Sequence, residues 1–188
     1  MARSSLKIIR DEHKTLAAML RALGRMIDRG PGDAPERYFD VMRATLFYID
    51  EFPERQHHPK ESRLLFPQLL RVAPQCQEVL EQLEKDHAGS ERAVRELQHL
   101  LLGWELVGDS RRQTFEDAAR NYLDLYLRHM QLEDTDVLQL AVQVLSDADW
   151  LALDAAFATS CDPLSGKYPR DPVYDRLFTR IARDSASH

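Results

Sequence analysis

Six residues of this 188-residue chain have the types and spacing to hold metal ions: His13, His57, Glu61, His87, His129 and Glu133. His57 and Glu61 are four apart, as are His129 and Glu133. On a helix each pair therefore shares one face, a turn apart. Imidazole combined with carboxylate suits iron, manganese or zinc. Four nitrogens and two carboxylates that can bridge make a ligand set for two ions. With a bridging oxygen added, about one position stays open at each ion, which is a place for a small ligand and not a closed structural site. A single HxxxE is weak evidence, and a single histidine on an apolar seam is more often a packed core residue. A seam histidine on each of four consecutive helices, with a glutamate one turn later on two of them, is far more specific.

That pattern depends on four helices. The spacing predicts a first helix from Ser4 or Ser5 to Asp28, with the seam Leu6, Ile9, His13, Leu16, Leu20, Leu23 and Ile27. Its steps alternate between three and four, as in a helix buried along one stripe. RGPGDAPER (29–37) is a loop by its Gly and Pro content. A second helix begins near Pro35 and buries Tyr38, Val41, Thr45, Tyr48 and Phe52, then His57, Glu61, Leu64, Leu65 and Leu69. A third runs from Ala73-Pro74 to about Trp104 on the seam Leu80, Leu83, His87, Ser90, Val94, Leu97, Leu101 and Trp104. A fourth runs from about Arg111 to Leu145 on Phe115, Ala119, Tyr122, Tyr126, His129, Glu133, Val137, Leu140 and Val144. Each seam places one histidine where an aliphatic residue would otherwise stand.

The depths agree. At 1.5 Å per residue, His13 and His57 each lie roughly 25 Å along their helices from the adjoining loop, His87 roughly 20 Å and His129 roughly 27 Å. In an up-down-up-down bundle the four histidines then meet at one level, nearer the end where the second and third helices join. Two carboxylates buried among them repel one another unless a cation lies between.

The stretch HHPKE (57–61) interrupts the second seam. Pro59 cannot donate to the carbonyl of Arg55, and proline inside a helix costs about 3 kcal/mol. The register slips by one residue between Phe52 and His57, flanked by Pro53 and Pro59. One extra residue is what a π-bulge supplies. The expectation is a bulge that turns His57 and Glu61 into the seam and leaves His58 about 100° away.

Ser146 reads as an N-cap with Asp149 three residues on, opening a short helix over 147–158. Asp171-Pro172 opens a last short helix to about Arg183. No segment alternates with period two, so no sheet is expected. The fold class is all-α: an antiparallel four-helix bundle over 1–146, with a C-terminal helical extension over 147–188 packed on it.

DEHKTL (11–16), HHPKESRLLFP (57–67), EKDH (84–87) and LRHMQLED (127–134) together resemble the hemerythrin HHE cation-binding family. The tail over 146–166 is similar to that of bacterial members with an extended C-terminus. The resemblance implies a four-helix bundle around a non-haem di-iron centre, two iron ions joined by an oxo or hydroxo bridge. It carries the ligand roles to His13, His57, Glu61, His87, His129 and Glu133, with zinc or manganese as substitutes. Oxygen carriers of the family have a further histidine one turn after the third-helix ligand. Here that position is Glu91, which puts reversible oxygen carriage in doubt; Glu91 is expected on a solvated flank and not as a seventh ligand.

The function expected is binding or sensing of a small ligand such as dioxygen, nitric oxide or peroxide, in oxidative or nitrosative stress. A di-iron oxidase or iron-handling protein, or a metal-stabilised interaction module, are the alternatives. A formal net charge of −6 argues against nucleic acid and anionic membranes as partners. No apolar run approaches the ~20 residues of a membrane span. Two distant cysteines and no leader-like apolar stretch suggest the cytoplasm. A homodimer is compatible with the sequence.

Overall fold

The computed structural model describes residues 3–159 together with Arg176, Leu177, Thr179 and Ile181. The described residues are almost all helical, with no strand among them. Helix α1 is Ser4–Arg29; α2 is a composite run over 35–72; α3 is Gln77–Val107; α4 is a second composite over 112–144; α5 is Asp147–Phe157. Helix α1 stops at Gly30, whose φ of 67° is costly for a residue with a Cβ. Pro35 then opens α2 at a position where its missing N–H costs nothing. Short 3-10 turns, Pro74–Cys76 and Asp109–Arg111, lead into α3 and α4.

The straight helices bury the expected seams. In α3 the buried residues are Leu80, Leu83, His87, Ser90, Val94, Leu97, Leu101 and Trp104, as the 3.6-residue period requires. In α1 the buried set includes Ile9, His13, Leu16, Leu20, Leu23 and Ile27, with Leu6 only half-buried.

The composite helices depart from the α period in three places. Asp50–His57, Glu61–Leu65 and Glu133–Val137 are wound as π-helix. The N–H of His58 reaches back to the carbonyl of Pro53. The expected bulge near the prolines is therefore present, but it extends over eight residues instead of one insertion. The segment Glu133–Val137 holds no proline, and the spacing did not signal it. Its wider turn advances the register, so that beyond it Leu138, Ala141 and Leu145 are buried where Leu140 and Val144 were expected.

The apolar interior is divided in two. One cluster joins Leu20, Leu23, Ile27, Tyr38, Leu46, Leu101, Trp104 and Phe115 toward the α1–α2 turn. The other joins Ile9, Leu65, Leu69, Leu83, Leu138, Trp150 and Phe157 toward the α2–α3 turn. Between them lies a layer of buried polar side chains. Helix α5 closes the second cluster over α1: Asp154 accepts from the Ser5 amide at 2.7 Å and from its hydroxyl at 2.6 Å. The Phe157 ring stands against His57 with centroids 6.3 Å apart. Cys76 is buried and free. Cys161 lies outside the described residues, as does most of the helix expected over 171–183; of that segment, Ile181 is buried in the first cluster.

Helix α5 begins with the predicted cap. Asp149 N–H donates to Ser146 Oγ, and Ser146 N–H donates to the Asp149 carboxylate. Removing the hydroxyl in Ser146→Ala is expected to destabilise the protein by about 1 kcal/mol. At this chain length that lowers the melting temperature by roughly 2–4 °C, which a thermal melt followed by circular dichroism will read.

Candidate metal centre

The six residues singled out by spacing lie together in the polar layer. His13, His57, His87 and His129 are buried, and Glu61 and Glu133 are fully buried. One ligating atom each from His13, His57, Glu61 and Glu133 falls within 4.8 Å of the others. His87 and His129 come together on the other side of the carboxylates, with ring centroids 4.8 Å apart.

The carboxylates span the two histidine pairs. Glu61 Oε1 is 2.7 Å from His57 Nε2, while its Oε2 is 3.6 Å from His87 Nε2. Glu133 Oε2 is 3.5 Å from His13 Nε2 and 3.8 Å from His129 Nε2. Each carboxylate therefore faces one histidine of each pair. None of their four oxygens has a properly formed hydrogen bond. Such orphaned, fully buried oxygens are costly and call for an explanation.

The histidines are held from outside. The Nδ1–H of His57 donates to Glu12 Oε2 at 2.6 Å, and that of His13 to Asp134 Oδ1 at 3.0 Å. Ser62 Oγ donates to Glu84 at 3.0 Å, so it accepts from His87 Nδ1 at 3.1 Å. His129 Nδ1 lies 3.5 Å from Asp86 Oδ2. These contacts close a ring around the bundle. Glu12 on α1 serves α2, Ser62 on α2 serves α3, Asp86 on α3 serves α4, and Asp134 on α4 serves α1. Each supporting residue is the chain neighbour of a site residue on its own helix. With the Nδ1 protons turned outward, the Nε2 lone pairs point inward at the carboxylates, the tautomer that metal-ligating histidines adopt.

The electrostatics describe a site that needs positive charge. Burial, and then the Glu61 carboxylate beside it, push Glu133 well above its ordinary value. Burial would raise Glu61 too, but the attraction of His57, followed by His87 and His13, holds it below the usual carboxylate range. Burial would lower His57, yet Glu61 and Glu12 outweigh it and raise it. His13 Nε2 and His57 Nε2 are only 3.2 Å apart, so two inward lone pairs would repel without a proton or cation between them. In the metal-free chain protons fill that need. Burial lowers His87 to about 3 and also lowers His129, keeping both neutral and available to a metal at pH 7.

Further polar side chains border the layer. Glu91 points away: its carboxylate accepts from Arg95 at 2.6 Å, and its side chain is 47% exposed. His58, expected about 100° from the ligand face, is buried beside the site and joins His87 and His129 within 4.8 Å. The π-wound turn before it brings both histidines inward, which no constant 100° rotation reproduces. Tyr126 and Tyr122 are buried there too. Tyr126 Oη is 2.8 Å from His58 Nε2, and Tyr122 Oη donates to Glu54 at 3.2 Å. Glu54 was not anticipated. It is buried, and burial raises it to about 8 despite the hydroxyls of Ser90 and Tyr122 bonded to it. Its position one turn before His58 was the available signal.

Helices that gather imidazoles and carboxylates in one buried layer define a class of proteins whose interior can take cations. The particular family follows from comparison with known proteins: residues 4–141 match the hemerythrin HHE cation binding domain. The chain belongs to that family. It is also similar to a protein of Haemophilus influenzae whose own name assigns no function, 33% identical over 78 residues. That match covers 42% of this chain and 44% of the relative, so it spans less than half of either. No helix among the described residues is long and apolar enough to cross a membrane.

The outer ring has a measurable consequence. Glu12→Gln keeps the side-chain volume but removes the negative charge on His57 Nδ1–H. Metal affinity is expected to fall about 10- to 100-fold, with the helical fold retained. Competition against a chromophoric chelator will measure it.

Proposed function

We propose that this protein holds two iron ions in an antiparallel up-down-up-down bundle and uses them to bind or sense a small diatomic or peroxide ligand in the cytoplasm, in oxidative or nitrosative stress. His13 and His57 hold one ion, His87 and His129 hold the other, and Glu61 and Glu133 are shared. The observation that carries this reading is the placement of each buried, hydrogen-bond-poor carboxylate between one histidine of each pair. A single ion would leave one pair of imidazoles and one oxygen of each carboxylate without a partner. When bound, the iron pair supplies an open, redox-capable position for the small ligand. Zinc and manganese suit the same donors, so loading conditions decide which metal is found.

The protein supplies the surroundings. Three outward hydrogen bonds, on His13, His57 and His87, and the Asp86 carboxylate 3.5 Å from His129 Nδ1 set ring orientation, and two apolar clusters keep bulk water from the layer. Glu91, paired with Arg95 at the surface, adds no third carboxylate. That favours ligand binding over an oxidase, whose higher oxidation states are stabilised by more carboxylate. The cheapest test is the visible spectrum of the iron-loaded protein, with and without oxygen. We expect absorption in the near ultraviolet and visible that changes when oxygen, nitric oxide or azide is added. A colourless, unresponsive protein after iron loading contradicts the proposal.

A further inference from the structure

We propose that the two ion positions are electronically unequal, and that Ser62 makes the His87–His129 ion the first to accept an electron. This rests on the two-iron reading above. Three of the four outward contacts on the histidines are made by carboxylates. Glu12 lies 2.6 Å from His57 Nδ1, Asp134 3.0 Å from His13 Nδ1 and Asp86 3.5 Å from His129 Nδ1. The fourth is a neutral hydroxyl, Ser62 Oγ, 3.1 Å from His87 Nδ1. The two positions therefore differ. Both histidines of the first donate to a carboxylate. In the second, His87 meets the hydroxyl and His129 Nδ1 has no properly formed hydrogen bond.

The difference reaches the metal through the imidazole ring. An Nδ1–H held by a carboxylate makes the Nε2 of the same ring a stronger donor. Stronger donors favour the more highly charged ion, so His13 and His57 hold ferric iron better than His87 and His129 do. The first electron added to a diferric centre converts one ferric ion to ferrous. It goes where the ferric state is less favoured, between His87 and His129. Glu84 does not restore the balance. It accepts from Ser62 at 3.0 Å, which turns a lone pair of the hydroxyl toward His87, but its charge stops one group short of the ring. The Phe66 ring covers the same imidazole, with centroids 5.7 Å apart and planes 14° from parallel, so the face it covers meets no charge. Ser62, Phe66 and Glu84 also line a surface groove of about 590 Å³. That groove brings a dissolved reductant within one side chain of His87, the ligand of the ion that is easier to reduce. Ser62 acts through His87 and touches no metal itself.

The test uses the full-length protein, kept saturated with iron, as wild type, Glu12→Gln and the double variant Ser62→Asp/Glu84→Gln. The double variant offers His87 a carboxylate without setting it against a second one. Iron per chain is counted first. The two one-electron potentials are then read by mediated titration at an electrode, and the half-reduced form by Mössbauer spectroscopy. Wild type should show one ferrous and one ferric ion, trapped and not averaged. The double variant should lower the higher potential by about 59 mV, a tenfold change in a one-electron equilibrium, and leave the lower one nearly unchanged. Glu12→Gln should raise the lower potential and leave the higher one. An averaged spectrum in wild type overturns the proposal. So does a variant that moves neither potential, both together, or the one assigned to the other ion. If wild type holds fewer than two irons, the two-iron reading has failed and this proposal with it, before any potential is compared. Glu12→Gln keeps the test decisive should the double variant not fold.

Discussion

Stripping the metal should lower the melting temperature by roughly 8–16 °C. Removing cations leaves Glu61 and Glu133 fully buried beside one another with no hydrogen bond on any of their four oxygens. The apo protein must then protonate one carboxylate and one imidazole, as the raised values of Glu133 and His57 indicate. A ligand present at about a thousand times its dissociation constant stabilises the folded state by about 4 kcal/mol. For a chain of this size each kcal/mol shifts the midpoint by roughly 2–4 °C. Differential scanning calorimetry before and after exhaustive chelation, followed by reconstitution, measures the change. An apo form that melts with the loaded form would mean that the layer does not depend on cations.

The second large effect is expected for Glu61→Gln. Glu61 is the closer carboxylate to both histidine pairs, at 2.7 Å from His57 and 3.6 Å from His87. The amide keeps the volume but loses the charge and one of the two oxygens that face the histidine pairs. We expect the chain to drop from two ions to one or none, while remaining helical. The same change should lower apo stability, because it removes the anion that faces His57 at 2.7 Å in the metal-free chain. Loss of metal with helical content retained separates this effect from general misfolding. Elemental analysis and a melt of the chelated variant read both.

How much of this was legible from the residues depends on where the helices keep the α period. In α1 and α3 the rotation is regular, and the apolar steps place His13 and His87 correctly among their neighbours. In α2 the prolines at 53 and 59 announced a distortion, though not its extent. In α4 nothing in the stretch EDTDV marks a π turn, so Leu140 and Val144 were expected inside and Ala141 and Leu145 are found there. The position of His58 was lost for the same reason. A wheel drawn at constant angle cannot carry a residue across a change of helix type.

The outer partners were illegible for a different reason. Glu12, Ser62, Asp86 and Asp134 sit next to site residues in the chain but serve histidines on the following helix around the bundle. Only packing reveals such a relation. Adjacent acidic residues are common on exposed helix faces, so the sequence alone does not separate a support from a solvated charge. Glu54 belongs to this group as well: a glutamate one turn before a histidine is frequent, and only its burial and three partners give it a role.

The central claim is that Glu61 and Glu133 are shared between two cations held in one layer. Anaerobic titration of the chelated full-length protein with ferrous ion, with bound iron counted per chain, tests it most directly. The account predicts a break at two irons per chain, with both ions lost together on renewed chelation. A break at one iron, or no saturable binding, would contradict it.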